Sequence, residues 1–248
     1  GAKDIKISKV ARSLQVYINL IKTEERLCRN LAAEDFSDQI NKQIIRLGDD
    51  KITDGMVLAI DPGDIMKPYA KSMENLCGIY DGSQHHEATG YHLCQVTAAN
   101  LEHNKIVPLY CEAFSSKEKD YVSSIEKIKD ALDKVTQKTG TTGVWAIDRQ
   151  GGCNEIIEHF ITEKLTFVTR LKLNRWLLTR NKNGGVVPVK AERLDVHAST
   201  PYRAQITKIE DGKETVINLT FGITKVALYD KPDVWMNAVI IKGLGSTL

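Results

Sequence analysis

The sequence lacks the long apolar runs, the leader region and the cysteine pattern that mark several classes of protein. Its longest apolar runs, Met56 to Ile60 and Ala238 to Ile241, are far shorter than the roughly 20 residues of a membrane-spanning helix. No basic start leads into an apolar signal region. The five cysteines are an odd number without CxxC spacing, which disfavours a disulfide framework and indicates reduced thiols. We therefore expect a globular cytoplasmic protein without a membrane partner.

An excess of charge of either sign is also missing. The chain has 34 Lys and Arg against 32 Asp and Glu, whereas proteins that bind phosphate usually carry a basic excess. Taken over the whole chain, this balance argues against a nucleic-acid partner. It hides a local patch, because the segment from Lys164 to Lys190 contains seven basic residues and no acidic one. The 42% of hydrophobic residues in 248 is enough for a buried core and excludes a disordered chain.

Apolar residues at helical spacing predict two amphipathic helices near the start of the chain and a third in its middle. The first stripe runs from Val10 to Ile21 and the second from Phe36 to Leu47. Ser115 and Glu118 have the spacing of a capping box, and the stripe that follows them ends before Gly140. We therefore expect the third helix to start with Ser115 as its N-cap.

Short apolar runs bounded by turn residues predict strands in the rest of the chain. The run from Met56 to Ile60 is expected to end where Pro62 and Gly63 break it. From Lys190 onward the sequence is strand-like, and its Asp211-Gly212 pair suits a tight hairpin turn. Further strands are predicted at Tyr91 to Ala98, Lys105 to Phe114, Val144 to Ile147 and Leu165 to Leu171. This order favours a mixed α/β core with an inserted or appended sheet.

Two aspartates share one context, each at the end of an apolar strand and before a turn. Asp61 follows MVLAI, and Asp148 follows VWAI. If the two strands lie side by side and parallel, both acids face the crevice at the carboxyl ends of the strands. Paired carboxylates on rigid strands suit Mg²⁺ or Mn²⁺, and pairs of such ions assist phosphodiester chemistry. Asp61 and Asp148 are therefore the candidate metal ligands and catalytic residues.

Simpler roles stay open for these candidate ligands. Taken singly, an aspartate in such a position most often caps the following turn or helix. Two acids in equivalent positions weaken the capping interpretation without eliminating it. The histidines and cysteines between His85 and Cys111 match no recognised zinc spacing, and we interpret them as strand or loop residues.

Two segments resemble the acidic motifs of one enzyme family. LAIDPGDI around Asp61, and VWAIDRQGGCNEIIEHF with LTFVTRLKLNR around and after Asp148, are similar to the first and second acidic motifs of DDE transposases of the bacterial insertion-sequence type. The similarity covers roughly Met56 to Arg175. Its most specific part is Asp148-Arg149 followed by a glycine turn, a helix and FVTRLK.

The resemblance implies a fold, a cofactor and a division of the chain. In this family a ribonuclease H-like catalytic domain uses two Asp and one Glu to hold divalent metals, which implies Mg²⁺ or Mn²⁺ at Asp61 and Asp148. A β-rich insertion follows the second acidic motif. We therefore expect an α/β fold in which a ribonuclease H-like mixed sheet is flanked by helices. The expected parts are a helical segment (residues 1–54), a catalytic core (residues 55–175) and a β-rich insertion (residues 176–248).

The chain departs from the family at the third acid. Family members place this acid on a helix after the insertion, commonly in a Tyr-x2-Arg-x3-Glu pattern, and no such pattern occurs in these 248 residues. We interpret the chain as a fragment cut before that helix, and a degenerate transposase that has lost the acid is the alternative. Either way, two acids without the third are expected to bind metal weakly and to catalyse poorly.

The basic stretch, placed beside metal-binding acids, predicts a DNA-contacting surface. Its residues are suited to neutralise phosphates, although a solvated loop also carries such a run by chance. Arg149 is expected to orient Asp148 or to touch a phosphate. Trp176 fits packing in a core or an interface better than stacking on a base. The residues expected to track the DNA backbone are Arg170, Lys172, Arg175, Arg180 and Lys182.

These features predict a transposase fragment that cleaves and transfers DNA strands at insertion-sequence ends with a divalent metal. Its expected partners are double-stranded DNA, from transposon ends and target, and a second copy of the chain in a homodimer on DNA. The expected location is the bacterial cytoplasm, in association with the nucleoid. The alternative from another class is a non-catalytic DNA-binding or oligomerisation module derived from a decayed or domesticated transposase. Another nuclease of the same fold, such as a resolvase, is a third interpretation.

Overall fold

Helices and strands together build a mixed α/β protein with two sheets. A computed structural model describes residues 6–14, 17–81, 85–100, 105–148, 152–181, 183–196, 199–210 and 213–243. The α-helices of this part are α1 (Ile7–Ser13), α2 (Leu20–Ala33), α3 (Ser37–Gly48), α4 (Ser124–Thr139) and α5 (Asn154–Thr162). Short 3₁₀ helices lie at Asp49–Lys51 and Ala191–Val196. The α/β class predicted from the sequence is confirmed.

The strands form two separate sheets. Strands β1 (Val57–Met66), β2 (Cys77–Asp81), β3 (His86–Asn100), β4 (Lys105–Phe114), β5 (Val144–Ile147) and β6 (Phe167–Thr169) form a six-stranded sheet in the order β2-β3-β1-β5-β6, with β4 also paired to β3. Strands β7 (Trp176–Arg180), β8 (Val186–Lys190), β9 (Tyr202–Glu210), β10 (Lys213–Leu228) and β11 (Lys231–Lys242) form a five-stranded sheet in the order β11-β10-β7-β8, with β9 paired to β10.

The chain divides into two compact units. The first comprises Gly1–Ala146 and Phe160–Val168, and the second comprises Ile147–His159 and Thr169–Leu248. The five-stranded sheet therefore belongs to the second unit, together with the residues that directly follow β5. No helix in the described part of the chain combines the length and the apolar composition needed to span a membrane.

Strand β1 does not end at Pro62 and Gly63, so the prediction of a strand that stops at Asp61 is wrong. Its pairing with β3 is antiparallel and continues without a register shift from Val57 opposite Ala99 to Met66 opposite Gly90. A proline is tolerated in a strand where its missing N–H faces an unpaired edge. The other neighbour, β5, has only four residues and so pairs with at most part of the ten-residue β1.

Two glycines allow the close approach of β1 to both of its neighbours. A Cβ atom at Gly90 on β3 would lie 2.0 Å from the backbone oxygen of Ile65. On the other side, Gly143 directly precedes β5 with a φ of +87°, and a Cβ there would lie 2.3 Å from Leu58 Cδ1. A side chain at Gly90 would displace the backbone of β1, whereas one at Gly143 would push the Leu58 side chain aside and would have to adopt a positive φ that non-glycine residues rarely take.

Helix α4 begins later than the capping box predicts. Its N-cap is Ser123, whose hydroxyl accepts from the backbone N–H of Glu126. Half of the predicted box forms at Ser115: its N–H donates to Glu118 Oε1 at 3.0 Å, but its hydroxyl accepts from the N–H of Lys117 and not of Glu118, and these bonds close a turn before the helix. Side-chain to backbone hydrogen bonds of this kind stabilise a turn as well as a helix start, and the three-residue spacing alone does not separate the two.

A charged network lies between α4 and β4. Lys127 Nζ is 2.8 Å from Glu112 Oε1, and Tyr110 donates its hydroxyl proton to the other carboxylate oxygen. Burial raises the pKa of Glu112, but the hydrogen bonds from Lys127 and Tyr110 outweigh it, and the pKa lies below its usual range. The carboxylate therefore stays ionised and pairs with the helix at neutral pH.

The N-terminal stripe from Val10 to Ile21 is divided between two helices, so the prediction of one continuous helix there is wrong. Helix α1 ends at Ser13, and Asn19 caps α2 by accepting from the N–H of Ile21 at 3.0 Å. Asparagine favours such a cap over a helix interior, which explains the break.

Helix α3 covers the backbone of β4 through one buried side chain. Asn41 Nδ2 donates to the Cys111 carbonyl at 3.0 Å, and Asn41 Oδ1 accepts from the Cys111 N–H at 2.9 Å. The amide thereby satisfies both backbone groups of a strand residue, as a neighbouring strand would.

We predict that Asn41→Ala lowers the free energy of unfolding by about 1–3 kcal/mol, because it leaves a backbone donor and acceptor without partners. Gln43→Ala, at an exposed position of the same helix, is the matched control and should stay within about 0.5 kcal/mol of the parent chain. Urea denaturation measures both. Equal effects of the two substitutions would contradict the role assigned to Asn41.

Candidate functional site

Asp61 is an exposed residue in the middle of β1, within the first unit. It lies opposite Gln95 on β3, and strand alternation places it on the other face from the buried Ile60. Burial, with smaller contributions from Glu112, Cys111 and Asp61, raises the pKa of Cys94 to about 12. The negative charge of Asp61 therefore contributes to the raised pKa of this buried thiol.

Asp64, three residues further along β1, has a partner of its own. Its Oδ1 lies 2.8 Å from Nδ1 of His92, which is directly opposite in the β1–β3 register. The His92 ring in turn lies 5.5 Å from the ring of Phe114. Side chains three apart on a strand project to opposite faces, so Asp64 does not share the face of Asp61.

Asp148 directly follows β5, as predicted, and is exposed. Its backbone carbonyl accepts from the Thr169 hydroxyl at 3.4 Å. The strand before it is held on both sides, since Val144 N–H donates to Met56 O at 2.9 Å and Trp145 N–H donates to Thr166 O at 2.8 Å. Arg149 lies outside the described residues.

The sheet order makes β1 and β5 neighbours, so the two strands that carry the predicted acids are adjacent. Asp61 belongs to the first unit and Asp148 to the second. Among the residues that the structure describes, no three His, Cys, Asp or Glu side chains cluster closely enough to hold a metal ion. The described residues therefore offer two carboxylates as candidate ligands and no third.

The basic stretch folds into strands rather than the solvated loop that was the simpler interpretation. Strands β7 and β8 form an antiparallel hairpin from Trp176 opposite Lys190 to Arg180 opposite Val186. Both strands lie in the predicted β-rich insertion, but neither was predicted individually, because basic residues and a proline interrupt their alternation. Trp176 is 53% exposed and so is not a core residue, and Lys190 Nζ lies 5.8 Å from its ring centroid.

The predicted DNA contacts of the second unit lie along and before this hairpin. Arg170 and Lys172 are exposed in the segment between β6 and β7, and Arg180 ends β7. The Arg180 guanidinium lies 4.9 Å from the ring centroid of Trp235, and its Nη1 donates to the Gly184 carbonyl at 3.3 Å. Lys182 lies outside the described residues.

Arg175 is the predicted DNA contact with the most unusual environment. It lines a cavity of about 490 Å³ whose other lining residues are Asn154, Trp176, Pro188 and Tyr229. Its Nη1 is buried without a hydrogen-bond partner. Burial lowers the pKa of Arg175, and this effect exceeds the opposing influence of Cys153, Asp230 and Glu155. The chain therefore holds a partly desolvated cation beside an open cavity.

The turn between β10 and β11 contacts the first turns of α5 within the second unit. Asn154 Nδ2 donates to Asp230 Oδ2 at 3.1 Å, and Lys231 Nζ lies 3.2 Å from Glu158 Oε2. We call these two contacts the α5 clip. Sequence reasoning missed the clip because more than 70 residues separate its partners and no motif connects them.

Comparisons with known proteins find weak structural similarities. No protein-family model matches the chain, and no curated protein matches it. A piggyBac transposase, solved as a synaptic complex with hairpin DNA, is 13% identical with a TM-score of 0.36, over 73% of this chain and 32% of the transposase. Endonuclease V of Ciona intestinalis, solved with a 24mer DNA that contains an inosine followed by a ribo-adenosine, is 16% identical with a TM-score of 0.28, over 82% and 80% of the two chains. The chain thus spans about a third of the length of the piggyBac transposase.

We predict that Arg175→Met leaves the midpoint of thermal unfolding unchanged or raises it, because it removes a desolvated charge and its unpaired N–H while keeping an apolar stem. Arg180→Met is the comparison. It removes an exposed cation–π contact with Trp235 and should cost about 0.5–1 kcal/mol. A large stability loss in Arg175→Met alone would show that the guanidinium has a structural role.

Proposed function

We propose that this chain provides two catalytic aspartates and a DNA-contacting surface of a metal-dependent DNA transposase with a ribonuclease H-like core. The observation that carries the proposal is the sheet order, in which the strand containing Asp61 is next to the strand that leads into Asp148. Both acids are exposed, and both belong to the segments that resemble the acidic motifs of insertion-sequence transposases. The reaction proposed is strand cleavage and strand transfer at transposon ends.

The donor set suits a hard divalent cation. Asp61 and Asp148 offer only carboxylate oxygens, which Mg²⁺ and Mn²⁺ prefer over nitrogen or sulfur ligands. Bound there, either ion would supply Lewis-acid stabilisation of the attacking and leaving oxygens of a phosphodiester. Two carboxylates fill only part of the coordination shell of such an ion, so we expect weak binding by this chain alone.

The aspartates would contact the reacting phosphate through the bound metal ion. Basic residues would bind the DNA backbone on either side of that phosphate. Arg170, Lys172 and Arg180 are exposed and can neutralise phosphates along the backbone. Arg175 contributes a guanidinium that is already partly desolvated, which strengthens a pairing with phosphate. We also assign Arg149 and Lys182 to this surface from the sequence alone, and we propose that the chain acts on DNA as a homodimer.

A non-catalytic DNA-binding module is the second candidate function. The absence of a third clustered ligand among the described residues favours it, because catalysis in the family that the chain resembles needs three acids. The two candidates share the basic surface and differ in the metal site, so metal binding separates them.

For the metal site, we predict that the chain binds Mn²⁺ weakly and that Asp61→Ala and Asp148→Ala each weaken this binding at least tenfold, because each removes one of two ligands. Asp54→Ala, at an exposed turn position before β1, is the matched control and should bind as the parent does. Isothermal titration calorimetry measures all four proteins. Unchanged binding in both site variants would exclude these carboxylates as ligands and would favour the non-catalytic module.

For the basic surface, we predict a salt-dependent affinity for duplex DNA. Neutralising two phosphate contacts in the double variant Arg175→Gln/Arg180→Gln should reduce the slope of log K against log salt concentration by about 2. The double variant Arg46→Gln/Lys138→Gln removes the same charge from exposed helix positions of the first unit and is the control. Fluorescence anisotropy at several salt concentrations measures the slopes. Equal slopes in the two double variants would contradict the assignment of the surface.

A further inference from the structure

We propose that the outer edge of β11 pairs with β11 of a second copy of the chain, antiparallel and centred on Asn237, so that two five-stranded sheets join into one. The inference rests on the homodimer of the proposed function, for which it names the contact surface, and it needs neither the metal site nor the DNA contacts. Strand β11 is the first strand in the order β11-β10-β7-β8, so its described pairing is with β10 on one edge and leaves the other edge for a partner.

This edge lacks the features that usually protect the edge of a sheet. Exposed edges carry charges or prolines, are short, or are covered, because their unpaired backbone N–H and C=O groups otherwise attract another strand. The central part of β11, Val234 to Ile241, is VWMNAVII and contains no charged residue, proline or glycine. The charged residues and the proline of the strand lie at its two ends, at Lys231, Pro232, Asp233 and Lys242.

The other edge strands of the described part of the chain are protected. The edge of β4 is covered by Asn41, whose amide bonds both the N–H and the carbonyl of Cys111. Strand β8 has five residues and contains Pro188, and β2 and β6 have only five and three residues. Strand β9 carries Arg203 and Lys208. Strand β11 is therefore the edge of the described chain that is best suited to accept another strand.

The exposed face beside this edge is apolar. Val239 and Ile241 on β11 are 57% and 49% exposed, and Ile223, opposite Val239 on β10, is 56% exposed. Contiguous apolar side chains on a surface are typical of contacts with another protein. A strand added at the edge extends this face, so the added strand must itself be apolar on the same side. A second copy of β11 meets this requirement.

The symmetry of a dimer restricts the register. A two-fold axis normal to the sheet keeps the same face upward in both copies, so odd-numbered residues lie opposite odd-numbered ones. With Asn237 opposite itself, Trp235 lies opposite Val239 of the second copy, and on the other face Val234 lies opposite Ile240. Aromatic and β-branched side chains form favourable cross-strand pairs. In this register no charged residue of β11 lies opposite another.

The next register allowed by symmetry is less favourable. Centred on Ala238, it would place Asn237 opposite Val239 and Lys242 opposite Val234, and so would pair polar groups with apolar ones. Pairing on Asn237 instead brings two amides together at the axis, where they can hydrogen-bond to each other. Because this pairing is isologous and occupies the β11 edge of both copies, it closes at two chains.

The test places charges at the proposed axis. Asn237→Asp brings two carboxylates opposite each other and Asn237→Lys two ammonium groups, so each variant should raise the dimer dissociation constant roughly fivefold. An equimolar mixture of the two variants forms an opposite-charge pair and should recover the affinity of the parent chain. Neighbours within each chain, such as Lys225 opposite residue 237, do not change on mixing, so recovery reports a contact between copies. Sedimentation velocity without DNA or metal measures all of these species.

A second pair of variants separates edge pairing from stacking of the sheet faces. Val239→Lys removes the proposed contact with Trp235 of the second copy and should weaken the dimer. Ile223→Lys is the matched control, because Ile223 is equally exposed on the same face but lies on β10, away from the edge. It should dimerise as the parent does. Equal weakening by both substitutions would show that the copies meet through the sheet face, and would overturn the proposal.

The remaining outcomes distinguish this inference from the proposed function. A parent chain that stays monomeric at its highest soluble concentration, Asn237 variants that dimerise as the parent does, or a mixture without recovery would overturn the edge pairing. The metal site would stand in these cases if Mn²⁺ binding still depended on Asp61 and Asp148. Conversely, recovery on mixing together with Mn²⁺ binding that is unchanged in both aspartate variants would support the edge pairing and remove the metal site.

Discussion

The antiparallel pairing of β1 with β3 is the constraint on which the rest of the first unit depends. It continues over ten residue pairs without a shift, and it extends past Pro62, so that Asp61 is held in the middle of a strand. The pairing needs Gly90, where a Cβ would collide with the Ile65 carbonyl, and on the other side Gly143 has a positive φ as the chain enters β5. A strand in such a position has little freedom to move. The backbone of Asp61 is therefore held in place, which suits the proposed role as a metal ligand.

The fold could be predicted from the sequence wherever one local signal decided the structure. Strands β4 and β5 follow from apolar runs between turn residues, and Asp148 ends its strand as expected. Prediction failed where a neighbouring element decided instead. Pro62 marks the end of a strand in isolation, but β3 continues to pair with β1 beyond it. The hairpin of β7 and β8 lies in a basic segment whose sequence also suits a loop. Strand β7 pairs with β10, some 50 residues further along the chain, and this pairing is not visible in the local sequence. The α5 clip had no sequence signal at all, since its partners meet only in the folded second unit.

The second unit contains a poorly solvated charge, that of Arg175, whose pKa is lowered by burial and whose Nη1 has no partner. A protein under selection for stability alone would replace such a group by an apolar one. Its place beside a cavity, next to an exposed tryptophan, fits the proposed role in binding an anion such as a DNA phosphate. The same cation is attracted by the exposed carboxylates of Asp230 and Glu155, so the proposed DNA surface also has acidic neighbours.

The central claim is that Asp61 and Asp148 hold one divalent metal site. Anomalous diffraction from crystals soaked in Mn²⁺ tests it most directly, because the scattering identifies the ion and the map identifies its ligands. The account predicts a manganese peak with carboxylate oxygens of both aspartates at about 2.1 Å, the distance typical of a small divalent ion with oxygen ligands. A peak bound by only one of the two, or bound at other residues while both aspartates lack metal, would contradict it.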